Sequence, residues 1–143
     1  MDSSQPRIAA VDYGTRRVGL AVTDPLRLFA QPLGAFPPDE AVRQLQRLHE
    51  RDGLATVVVG WPLLEDGTEG KATRRVEPFV GRLRNVLPGV VVVKQDERYT
   101  SQRAAEALVV AGVRKKARRE KGRLDAAAAT LILQDYLDEG GRE

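Results

Sequence analysis

The apolar run RIAAVDY (7–13) is followed, after a tight turn at Gly14-Thr15, by a second run, RVGLAVTD (17–24). Strands this close in sequence pair as an antiparallel hairpin. Two later runs, ATVVVG (55–60) and GVVVVKQDE (89–97), are each preceded by a stretch with helical spacing. Strands separated by helices run parallel. One chain therefore asks for both kinds of pairing. The predicted fold is α/β: a mixed five-stranded sheet, antiparallel across strands 1–3 and parallel across strands 4–5, flanked by helices. The third strand is LRLFAQPLGAF (26–36), and its Pro32, which lacks an N–H, belongs at a sheet edge.

The first helix spans 37–53, with Asp39 as its cap, Val42, Leu45 and Leu48 on one face, and Gly53 as its stop. WPLLEDGTEG (61–70) reads as a loop. A second helix covers 71–87, turning Val76, Phe79, Val80, Leu83 and Leu87 inward, and Pro78 must start or kink it. A third covers 101–112, and the last covers 124–138. No repeat or low-complexity linker interrupts the series, so the expected organisation is one domain over 1–143.

With 143 residues, 42% of them hydrophobic, the chain can bury a real core. Nothing approaches the ~20 apolar residues of a membrane span. MDSSQPR does not open like a secretion signal. Without cysteine, disulfides and thiolate metal sites are excluded. The expected compartment is the cytoplasm. The net charge of +3 is unevenly spread, because RKKARREKGR (114–123) alone carries +6 and leaves the rest at −3. A concentrated basic segment on a mildly acidic body suggests a polyanionic partner, although a charge run taken alone reads first as a solvated loop.

Asp12 is the anomaly. It ends a run of Ile8, Ala9, Ala10 and Val11, where neither strand propensity nor burial favours an acid. Glu97 follows an apolar strand, and Asp125 opens the last helix. Singly, each has a structural explanation: Asp12 paired with Arg16 or Arg17, Glu97 beside Arg98, Asp125 as an N-cap. Together they say more. Parallel strand ends open on one edge of a sheet. The small side chains Ala126–Ala129 would let the last helix approach that edge. His49, the only histidine, lies mid-helix among charges and is expected to be solvated. Three converging carboxylates without Cys or His suit Mg²⁺ or Mn²⁺, the ions that serve phosphodiester hydrolysis.

The segments VDYGTRRVGLAVTD, VVVGWPLLEDGTEG, DERYTSQRAAEAL and KKARREKGRLDAAAATLILQDYLD resemble, in order, the motifs of the YqgF/RuvX family. The resemblance spans nearly the whole chain. It implies a ribonuclease H-like fold, with Asp12, Glu97 and Asp125 as catalytic, metal-binding acids and Gly14 and Thr15 shaping the turn beside Asp12. It implies a nuclease acting on structured nucleic acid, either at the 5′ end of pre-16S rRNA or at four-way DNA junctions. The ribosome or its precursors would be a partner. The protein would act as a monomer, or as a homodimer on a symmetric junction. A non-catalytic nucleic-acid-binding or ribosome-associated factor is the alternative of another class. Expected nucleic-acid contacts are Arg16, Arg17, Arg98, Thr100, Lys115, Lys116, Arg118 and Arg119. Trp61 could stack on a base or cover the core edge. Two positions depart from the family: Leu64 stands where Asn is frequent, and Tyr99 where an apolar residue is usual. Gly14-Thr15 also resembles the phosphate turn of sugar kinases, but the chain is too short for their second lobe.

Overall fold

The computed structural model describes residues 5–97 and 121–141, the latter with side chains from Ala126 onward. Five strands form one sheet: β1 (Arg7–Tyr13), β2 (Val18–Thr23), β3 (Ala30–Phe36), β4 (Leu54–Trp61) and β5 (Val91–Asp96). Their order is β3-β2-β1-β4-β5. β1–β2 and β2–β3 pair antiparallel, whereas β1–β4 and β4–β5 pair parallel, as the sequence predicts. The described helices are α1 (Pro38–Asp52), α2 (Lys71–Val86) and α3 (Lys121–Tyr136), and a π-helical turn, Leu137–Gly141, follows α3. Residues 101–112, read as a helix from the sequence, lie outside the described residues.

Strand alternation divides the core in two. Ala9 and Val11 of β1 join Leu20, Val57, Val59 and Trp61 on one face. α1 covers that face with Val42, Leu45 and Leu48, and α2 covers it with Val76, Phe79, Val80 and Leu83. Fully burying each such large side chain contributes about 1.5–3 kcal/mol. Ile8, Ala10, Ala21 and Val58 point the other way, against Ala129, Ile132, Leu133 and Leu137 of α3 and the turn after it. The small-residue run lies where the last helix meets the sheet: Ala129 packs within this cluster, and Ala126 and Ala128 are buried.

Several boundaries differ from the sequence expectation. β3 begins at Ala30 rather than 26. The Asp24 carboxylate accepts hydrogen bonds from the backbone N–H groups of Leu26 (3.1 Å), Leu28 (2.7 Å) and Phe29 (2.7 Å), which holds 24–29 as a turn. Asp39 does not cap α1. Pro37 takes the cap position without a side-chain hydrogen bond, Pro38 supplies a preset first turn, and Asp39 pairs with Arg82 on α2 at 2.7 Å. Gly53 stops α1 as expected, with φ +82°. His49 is not a solvated side chain: half-buried, its Nδ1 accepts the Leu54 N–H at 2.9 Å and so ties α1 to the start of β4. Pro78 stands inside α2 on its exposed side rather than at its start. α3 begins at Lys121, inside the basic run that reads as a loop, so Asp125 is its fifth residue and not its N-cap. β3 is an edge strand, as Pro32 requires.

Candidate active site

Asp12 stands one residue before the end of β1, next in register after the Val11–Val59 pair with β4. Glu97 follows β5 directly, and its N–H donates to the Trp61 carbonyl at 3.1 Å, extending the β4–β5 ladder by one bond. By alternation, Asp12 shares the face of Ile8 and Ala10, while Glu97 shares that of Val93. Both acids thus lie on the α3 side, at the edge where the parallel strands end. Tyr13 turns to the opposite face, where its ring meets Phe79 with centroids 4.9 Å apart and pins the end of β1 to α2.

The carboxyl groups of Asp12 and Glu97 are hydrogen-bonded to each other. Burial pushes the Glu97 carboxyl up, the Asp12 charge and their shared hydrogen bond push it further, and Asp96 adds to this, bringing it to about 9. Two carboxylates this close cannot both ionise without a counter-charge, so one proton serves the pair. The acid in the apolar strand therefore has its partner in another acid. Such a pair offers hard oxygen donors and excess negative charge. It fits Mg²⁺ or Mn²⁺, either of which would replace the proton and relieve the repulsion.

Asp125 lies on α3, and its side chain is outside the described residues. Among the described residues, no group of three or more potential ligands forms a metal site. Arg16 and Arg17 are exposed in the turn just beyond Asp12. A Cβ on Gly14 would come within 2.5 Å of the Arg17 carbonyl oxygen, so this turn closes too tightly for any other residue. Arg98, Thr100, Lys115, Lys116, Arg118 and Arg119 lie outside the described residues, as does Tyr99. Trp61 belongs to β4, not to a loop, and is only 5% exposed. Lys94 Nζ lies 4.0 Å from its ring centroid. A ring enclosed in this way covers the core edge and is not open to a base. Leu64 is exposed in the loop after β4, at the same end of the sheet as the acids.

The sheet order, the change from antiparallel to parallel pairing, and the acids at the ends of β1 and β5 define a ribonuclease H-like domain with an acidic edge. The chain belongs to the RuvX family, whose model, described as "RuvX: Holliday junction resolvase", matches residues 6–139. It is 54% identical over 139 residues to a protein of Salinibacter ruber named "Putative pre-16S rRNA nuclease", covering 97% of each chain. A protein of Chlorobaculum tepidum with the same name is 47% identical over 136 residues, covering 95% of this chain and 96% of the relative. The fold is similar to that of T. thermophilus RuvC, solved in complex with a Holliday junction substrate. The TM-score is 0.56 at 22% identity, over 95% of this chain and 97% of that one.

Proposed function

We propose that the protein is a single-domain, divalent-metal-dependent nuclease that hydrolyses phosphodiester bonds in structured RNA, at the 5′ end of pre-16S rRNA. The observation that carries this reading is the hydrogen-bonded Asp12–Glu97 pair on the acidic edge. Family membership and the names of the relatives supply the substrate class. Asp12, Glu97 and Asp125 would hold Mg²⁺ or Mn²⁺. Ala129, Ile132 and Leu133 of α3 pack against the sheet, and the helical spacing of 125 with these positions supports Asp125 as the third ligand. When bound, a divalent ion supplies positive charge to the scissile phosphate and acidifies water.

The chain's own groups do the rest. Asp12 and Glu97 would hold the ion once their shared proton has passed to solvent, and β1 and β5 fix where the two carboxylates lie. Arg16 and Arg17 meet substrate phosphates just outside the acidic edge, and the basic run at 114–123 supplies further phosphate contacts. The setting is the cytoplasm, with a ribosome precursor as partner. The family description supports a second reading, cleavage of four-way DNA junctions, for which a homodimer would match the junction's symmetry.

One assay tests both. The purified chain is offered a precursor rRNA fragment and a four-way DNA junction, with Mn²⁺ and with chelator. Metal-dependent cleavage confined to the RNA is the expected result. Cleavage of the junction alone replaces the substrate. Binding that ignores metal, with no product from either, replaces the nuclease with a non-catalytic binding factor.

A further inference from the structure

β4 carries Val57, Val58, Val59 and Trp61, all bulky and all buried, with one glycine among them. Gly60 is not there for its backbone, since it is absent from the glycines with positive φ. Its register explains it. β4 lies between β1 and β5 in the sheet, and Gly60 stands one residue beyond the Val59–Val11 pair and opposite Gln95. By alternation it shares the α3 face with Val58, between the strand that carries Asp12 and the strand that Glu97 follows. A Cβ built there would lie 2.5 Å from Glu97 Oε2, 2.6 Å from Glu97 Cδ and 2.6 Å from Ile132 Cδ1. The space above Gly60 is thus filled twice, by the carboxyl group of Glu97 and by the tip of an α3 side chain.

We propose that Gly60 is a positioning residue, whose missing side chain seats the Glu97 carboxylate beside Asp12 while α3 closes over both. This rests on the reading of Asp12 and Glu97 as metal-binding acids. Both neighbours are side-chain tips, so a methyl group here turns aside the Glu97 carboxylate and the Ile132 tip. Displacing Ile132 is a packing matter. Displacing the carboxylate spoils the ligand pair.

Two variants of the full chain separate these effects, because Ile132→Val removes the Cδ1 atom and leaves the Glu97 overlap. Mn²⁺ affinity without nucleic acid, kcat and KM for cleavage, and metal-free melting temperature are measured for wild type, Gly60→Ala and Gly60→Ala/Ile132→Val. Gly60→Ala is expected to weaken Mn²⁺ binding by roughly 10–100-fold, as loss of groups that orient ligands does, and to lower kcat with KM unchanged. The double variant is expected to regain melting temperature and to leave Mn²⁺ affinity and kcat low. If Gly60→Ala does not fold, the double variant is read in its place. Wild-type Mn²⁺ affinity in either variant would overturn the positioning role and leave the nuclease reading standing. A wild-type chain that neither binds Mn²⁺ nor cleaves would overturn both.

Discussion

The two faces of the sheet are built from different materials. Under α1 and α2, valines, leucines, Phe79 and Trp61 interdigitate, and the layers are held apart by large side chains. Under α3, Ile8, Val58, Ile132 and Leu133 fill part of the face, but toward the acids Ala10 pairs with Ala21, Asp12 pairs with Gly19, and Gly60 lies alongside, with Ala129 packed above the sheet. The first face gains stability from buried area. The second sacrifices area for proximity. Carboxylate side chains are short, and they can share a ligand with a helix only if that helix lies close to the strands. On the proposed function, the thin face holds the metal and the thick face supports it.

The largest test of this contrast is Asp12→Asn. It should lower cleavage by at least roughly 10³-fold, in line with loss of a residue acting directly in catalysis. The metal-free melting temperature should hold or rise, because one of two repelling acids is gone. A single-turnover assay with a thermal melt checks both.

Next come paired packing changes. Leu83→Ala on the thick face should cost about 2–5 kcal/mol and leave Mn²⁺ affinity as it was. Ala129→Leu on the thin face should cost about 1–3 kcal/mol from overpacking and weaken Mn²⁺ binding as well. Denaturant melts and metal titration, run on both variants, would break the comparison if Leu83→Ala changed affinity or Ala129→Leu did not.

Per unit of pH, the smallest effect is a slope. Glu97 keeps its proton to about 9 in the folded chain and loses it near the ordinary 4.5 when unfolded. Between those values the folded state binds more protons, so metal-free stability falls as pH rises, by at most ~1.4 kcal/mol per unit. Glu97→Gln should flatten the slope, and so should saturating Mn²⁺. Melts from pH 5 to pH 9, in buffers with and without Mn²⁺, read it directly.

Much of this was legible in the residues. Four of the strands announced themselves as apolar runs, and the change from hairpin to strand–helix alternation predicted the change in pairing. Asp12 stood out because nothing local asks for an acid there. What stayed hidden depends on contacts between distant positions. The late start of β3 comes from one carboxylate that captures three N–H groups, which strand propensity does not register. Asp39 looked like a cap until Arg82, 43 residues away, drew it aside. The histidine hydrogen bond to Leu54 needs the geometry of the Gly53 stop. Gly60 at the end of ATVVVG reads as an ordinary strand terminus. Only the register places it next to a carboxylate.

The thin face also limits how the protein can change over time. In an ordinary core, a residue that grows can be accommodated by a neighbour that shrinks. Here the strand positions around the acids are Gly19, Gly60, Ala10 and Ala21, already at or near the smallest size available. Growth at Gly60 can be offset by a smaller residue at 132, but nothing offsets the crowding of Glu97, so exchanges that keep the acid pair in place are few here while they stay open under α1 and α2. Descendants of this sequence should repack the thick face many times before they alter the thin one once.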